Sequence, residues 1–173
     1  FKTIDGEDER WGIDDKNRPN QPVVSILEPG TSGTGMAFLR AYQATGNKLY
    51  LEYALEVGKT LLSIQKDLGK GGWPSHAVVI PEGADTQGEV GKWTSASLKI
   101  PREQGELSYP PQDHPYVTFD DGISFNAGIF LVELYGTIKD LDFSEEVVDP
   151  LENINKYSFF IGAKKLFELI DSF

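Results

Sequence analysis

The sequence predicts an all-α fold, in which two helical hairpins form part of an (α/α) toroid. Three observations predict it. Apolar residues recur at three- and four-residue steps in four stretches, a segment of the third stretch repeats the first, and the long excursion between the two pairs loses the helical period.

Residues 1–24 mix charges, Gly, Pro and Asn with few apolar residues, and read as an N-terminal arm ahead of a helical domain spanning 25–173. The segment 30–35 (Gly-Thr-Ser-Gly-Thr-Gly) is expected to lead into a first helix, in which Met36, Leu39 and Tyr42 fit one face. Thr45-Gly46-Asn47 forms a turn. A second helix is predicted over 49–65, with Tyr50, Tyr53, Ala54, Val57, Leu61 and Ile64 on its apolar stripe. The glycines of 69–72 end it, because glycine tolerates the left-handed conformation that closes a helix.

Six prolines punctuate residues 73–118, a long loop insertion with two candidate short strands at 77–80 and 95–100. A loop of that length is uncommon without a task. Helical character returns after Thr118-Phe119-Asp120-Asp121-Gly122. Gly128-Ile-Phe-Leu-Val-Glu-Leu-Tyr135 then aligns with Gly35-Met-Ala-Phe-Leu-Arg-Ala-Tyr42, 93 residues earlier. A break at Lys139-Asp140 precedes a last helix, expected to start at Ser144 or Pro150 and to run to Phe173. Hairpins of this kind bury their apolar faces only against neighbours. A ring of six takes roughly 200–280 residues, so two hairpins imply a fragment of a larger toroid or a partner chain.

The 173 residues, 39% hydrophobic and 25% charged, suffice for one domain with an apolar core. The net charge of −11 disfavours nucleic acid and anionic membrane as partners and favours a metal cation. With no cysteine, thiolate sites and disulfides are excluded. No apolar run reaches membrane-spanning length. The chain opens on Phe1 with no visible signal peptide, which suggests a processed or truncated start.

The adjacent carboxylates Asp120 and Asp121 stand just before a helix, where they suit a calcium ion or simply cap the helix. The 93-residue repeat pairs Asp121 with Glu28, also just before a helix. Trp73, after Gly71-Gly72, offers an indole face to a sugar ring or else plugs the core. Within the insertion, Lys92, Trp93, Lys99, Arg102, His114 and Tyr116 are candidate contacts for an acidic ligand, set against the plainer reading as surface residues. His76 and His114 lack any zinc-ligand spacing. The glycine-rich 30–35 segment matches neither a phosphate-binding loop nor a dinucleotide fingerprint.

Three motifs, in order, resemble the pectic acid lyases of polysaccharide lyase family 10. They are Arg40-Ala-Tyr-Gln-Ala-Thr-Gly46, Gly71-Gly-Trp-Pro74 and Tyr116-Val-Thr-Phe-Asp-Asp-Gly122, and the resemblance covers residues 25–173. It implies an (α/α) toroid, an acidic polysaccharide such as polygalacturonate as substrate, an extracellular or periplasmic location, and calcium as cofactor. Asp120 and Asp121 match the family's acidic helix start, and Trp73 its tryptophan. Where the family carries Asp-Asn-Gly-Ala-Thr, this chain has Leu27-Glu28-Pro29-Gly30-Thr31. The family's catalytic arginine lies in a later segment with no counterpart here, so no catalytic residue is assigned. The expected function is cleavage by β-elimination, if a further part supplies the base. The alternatives are a non-catalytic carbohydrate-binding or structural module, and a different toroid enzyme such as a glycoside hydrolase or epimerase.

Overall fold

A computed structural model describes residues 2–3, 22–26, 30–68, 71–74, 76–79, 93–95, 117, 119, 122–141 and 154–172. Within them the chain is mainly helical, as its periodicity predicts. The elements in chain order are β1 (Lys2–Thr3), β2 (Pro22–Ser25), α1 (Gly30–Thr45), α2 (Lys48–Leu68), β3 (His76–Val79), β4 (Trp93–Ser95), α3 (Ile123–Ile138) and α4 (Lys156–Ile170).

Helix α1 starts at Gly30, so the glycine-rich segment expected to lead into the helix is its first two turns. Ser32, Gly35 and Leu39 form the buried stripe. Two of these three are not apolar, so a hydropathy pattern sees the helix only from Met36 onward. Gly46, with φ of 68°, and Asn47 make the turn into α2: the Gly46 N–H donates to the Tyr42 carbonyl (2.7 Å), and Asn47 Oδ1 accepts from the Leu49 N–H (3.1 Å). Helix α2 buries Leu51, Ala54, Leu55, Leu61, Leu62 and Ile64.

The contacts give each helix its direction. Phe38 of α1 lies 5.0 Å, ring to ring, from Tyr53 of α2, and Gly35 faces Val57, so α1 and α2 run antiparallel. Gly128 of α3 meets Leu166 of α4, and Tyr135 lies 5.4 Å from Phe160, so α3 and α4 are antiparallel too. Between the pairs, Phe130 covers Gly35, Arg40 pairs with Glu133 (3.5 Å), and Gln43 Nε2 donates to Thr137 Oγ1 (3.0 Å). Those positions rise together along both chains, so α1 and α3 are parallel. Gly58 against Phe159 and Leu62 against Gly162 make α2 and α4 parallel in the same way. Two layers result, α1 with α3 and α2 with α4.

Glycine makes this approach possible. A Cβ on Gly35 would stand 2.5 Å from Phe130 Cζ and 2.7 Å from Val57 Cγ1, and one on Gly58 would stand 2.6 Å from Leu134 Cδ2 and 2.7 Å from Phe159 Cε1. Non-bonded carbons prefer about 3.5–4.0 Å, so any side chain here would push helices apart. Helix α3 is the most enclosed, burying Ile123, Ala127, Phe130, Leu131, Leu134 and Ile138. Burying one such large side chain contributes roughly 1.5–3 kcal/mol.

Helix α4 begins at Lys156, later than the Ser144 or Pro150 expected from sequence. Its start is set by a reciprocal cap: Asn155 Oδ1 accepts from the Tyr157 N–H (2.9 Å), while Ser158 Oγ accepts from the Asn155 N–H (2.9 Å).

The four short strands form one antiparallel sheet in the order β1-β2-β3-β4. Strand β3 falls within one residue of the stretch expected at 77–80. Strand β4 overlaps the stretch expected at 95–100 at Ser95, the rest of that stretch lying outside the described residues, and pairs with β3 so that Val79 stands opposite Trp93 and Ala77 opposite Ser95. Strand β2, unanticipated, pairs Val24 with Ala77 and turns Val24 into the core, and Ile26, just past its end, is buried as well. Among the described residues, no helix is long and apolar enough to cross a membrane.

Candidate functional site at the start of α1 and α3

Because α1 and α3 are parallel neighbours, Gly30 and Ile123 open their helices at one end of the molecule. Helix α2 runs the other way and finishes there. The chain following α2 turns through Gly71, whose φ of 81° suits glycine, and whose Cβ position lies 2.7 Å from the Lys165 carbonyl oxygen. Gln65, nearly buried, ties this turn down: its Nε2 donates to the carbonyl oxygens of Gly71 (2.5 Å) and Gly162 (2.9 Å).

Trp73 follows, and its exposure is 0%. Its indole N–H donates to the Leu61 carbonyl (2.7 Å), its backbone N–H donates to Ser124 Oγ (3.0 Å), and the Ser124 hydroxyl donates back to the Trp73 carbonyl (3.2 Å). Of the two readings of Trp73, the structure shows the core plug. With no solvent-facing indole surface, Trp73 packs as a core residue. A Cβ on Gly72 would run into the Val117 side chain, so close approach is required at that position. The Gly-Gly-Trp segment and the residues leading into α3 are thereby brought together.

The N-cap of α3 is Gly122 in the left-handed conformation (φ 68°), a residue with no side chain to cap the helix. The N-cap position itself is therefore not taken by an aspartate. At the start of α1, Thr31 Oγ1 donates to the Ser25 carbonyl (2.8 Å), fastening β2 to the helix.

Of the sequence-predicted site residues, Glu28, Lys92, Arg102, His114, Tyr116, Asp120 and Asp121 lie outside the described residues, as does Lys99. Trp93 opens β4 opposite Val79. Among the described residues, no group of three or more His, Asp or Glu side chains comes together to hold a metal ion. Sequence reasoning missed Ser124 and Gln65, the two polar residues that fasten this end. A serine one residue into an apolar helix and a glutamine ending an apolar stripe were the available signals.

No protein family, no curated protein and no solved structure matches the chain.

Proposed function

We propose that this chain is a carbohydrate-active, pectate-lyase-like module, part of an (α/α) toroid of helical hairpins, which binds an acidic polysaccharide where α1 and α3 begin. The observation that carries the reading is the parallel packing of these helices, Gly35 against Phe130 and Gln43 against Thr137. Glu28 precedes the first residue of α1 by two positions, and Asp121 precedes the first residue of α3 by two. Two residues of chain reach at most about 7 Å, which tethers a carboxylate to each of two adjacent helix starts. Together with Asp120, these carboxylates offer the hard oxygen donors that calcium prefers. Calcium, when bound, would bridge the protein to the carboxylates of the polymer.

The open faces support the ring arrangement. Phe125, Ile129 and Val132 on α3, with Phe160 and Phe167 on α4, are exposed apolar residues on neighbouring helices. A further hairpin would cover these exposed residues.

Binding is the activity this chain's own residues account for, and β-elimination requires a base that none of them is assigned to supply. Incubation with polygalacturonate and calcium separates the two. Unsaturated, ultraviolet-absorbing products identify a lyase, and saturable retention on the polymer without cleavage identifies a binding module. Absence of both overturns the proposal, and release of reducing ends without unsaturation points instead to a hydrolase.

A further inference from the structure

A cavity of about 200 Å³ opens between α2 and α4, in the layer away from α1 and α3, and shares none of the sequence-predicted site residues. Leu62, Ile154 and Ile161 give it apolar walls, while Ser63, Lys66 and Lys165 bring donors to it. In a chain of net charge −11, Lys59 pairs with Glu56 and Lys164 with Glu168. Neither Lys66 nor Lys165 has a carboxylate partner among the described residues. Ser63 adds an independent observation. It is 8% exposed, lines the cavity, and its hydroxyl has no hydrogen-bond partner among the described residues. A buried hydroxyl left without a partner is costly, and native proteins rarely retain one.

We propose that the α2–α4 cavity is a binding site for a small organic carboxylate, whose oxygens take the Ser63 hydroxyl and the Lys66 and Lys165 ammonium groups while its carbon body lies on Leu62, Ile154 and Ile161. The mixed lining selects the ligand class. A bare inorganic anion leaves the apolar wall unused, and a neutral alcohol leaves both cations unpaired. The proposal does not rest on the polysaccharide reading, since it uses none of Glu28, Asp120 and Asp121, although Gln65 on the cavity wall also holds the Gly71 turn.

The test is a titration of the isotope-labelled chain with sodium butyrate, 1-butanol and inorganic phosphate, followed by backbone amide shifts. Saturable shifts confined to the neighbourhood of Ser63, Lys66 and Lys165, stronger for butyrate than for either comparator, are expected. Lys66→Gln with Lys165→Gln should weaken butyrate binding about tenfold without changing the fold, because both lysines are exposed. Ser63→Ala should weaken it without altering the response to butanol. Butyrate shifts that persist unchanged in the double variant overturn the proposal, as does phosphate binding equal to or tighter than butyrate.

Discussion

The indole N–H of Trp73 donates to the backbone carbonyl of Leu61 at 2.7 Å, joining the chain after α2 to the body of that helix. Ser124 holds the Trp73 backbone from the other side, through its N–H and its carbonyl. One fully buried side chain thus links α2 to the first turn of α3. Trp73→Phe removes the hydrogen bond and part of the buried ring, and should cost about 2–4 kcal/mol. Ser124→Ala should cost about 1–3 kcal/mol, because it leaves buried backbone groups unpaired. Urea unfolding followed by far-ultraviolet circular dichroism measures both, and a Trp73→Phe midpoint equal to wild type would return Trp73 to the surface.

Two glycines in helix interiors should respond to the same substitution with opposite sign. Gly58→Ala places a methyl against Leu134 and Phe159, and should destabilise by roughly 1–2 kcal/mol despite the better helix propensity of alanine. Gly136→Ala meets nothing within 4 Å on an exposed face of α3, and should stabilise by up to about 1 kcal/mol. Thermal unfolding of the pair checks the contrast.

The exposed apolar residues of α3 and α4 should bind a hydrophobic dye in the isolated chain. Phe160→Glu and Phe167→Glu together should reduce that fluorescence while shifting stability by no more than about 0.5 kcal/mol each. A large loss of stability instead would mean these rings are part of the folded core.

Calcium titration by calorimetry tests the carboxylate assignment. Asp121→Ala should lower calcium affinity by about tenfold or more, since removing one hard anionic ligand from a small set weakens the site. An unchanged isotherm in that variant would remove Asp121 from the metal set.

Local pattern made much of the fold legible. The stripe from Tyr50 to Ile64 announces α2, and Gly46 announces the turn before it, because periodicity and left-handed φ are properties of a few consecutive residues. Helix α1 was legible only in its second half, since Ser32 and Gly35 are buried for reasons of size. Strand β2 was missed because Val24 and Ile26 supply too short an alternation to stand out. The candidate site was legible as residue types. Its described anchor, Trp73, was ambiguous, since an indole serves a core as well as a sugar.

By itself, the sequence determined the helices, the 93-residue echo between Gly35 and Gly128, and the acidic character of the chain. The tertiary structure alone decided that α1 and α3 run side by side in the same direction, that Gly35 and Gly58 exist to admit Phe130 and Phe159, and that Trp73 faces inward. The division follows from range. Helix formation is settled within a few turns of chain, whereas the partner of a small residue or an aromatic ring is chosen by segments dozens of residues away, whose approach no local pattern encodes.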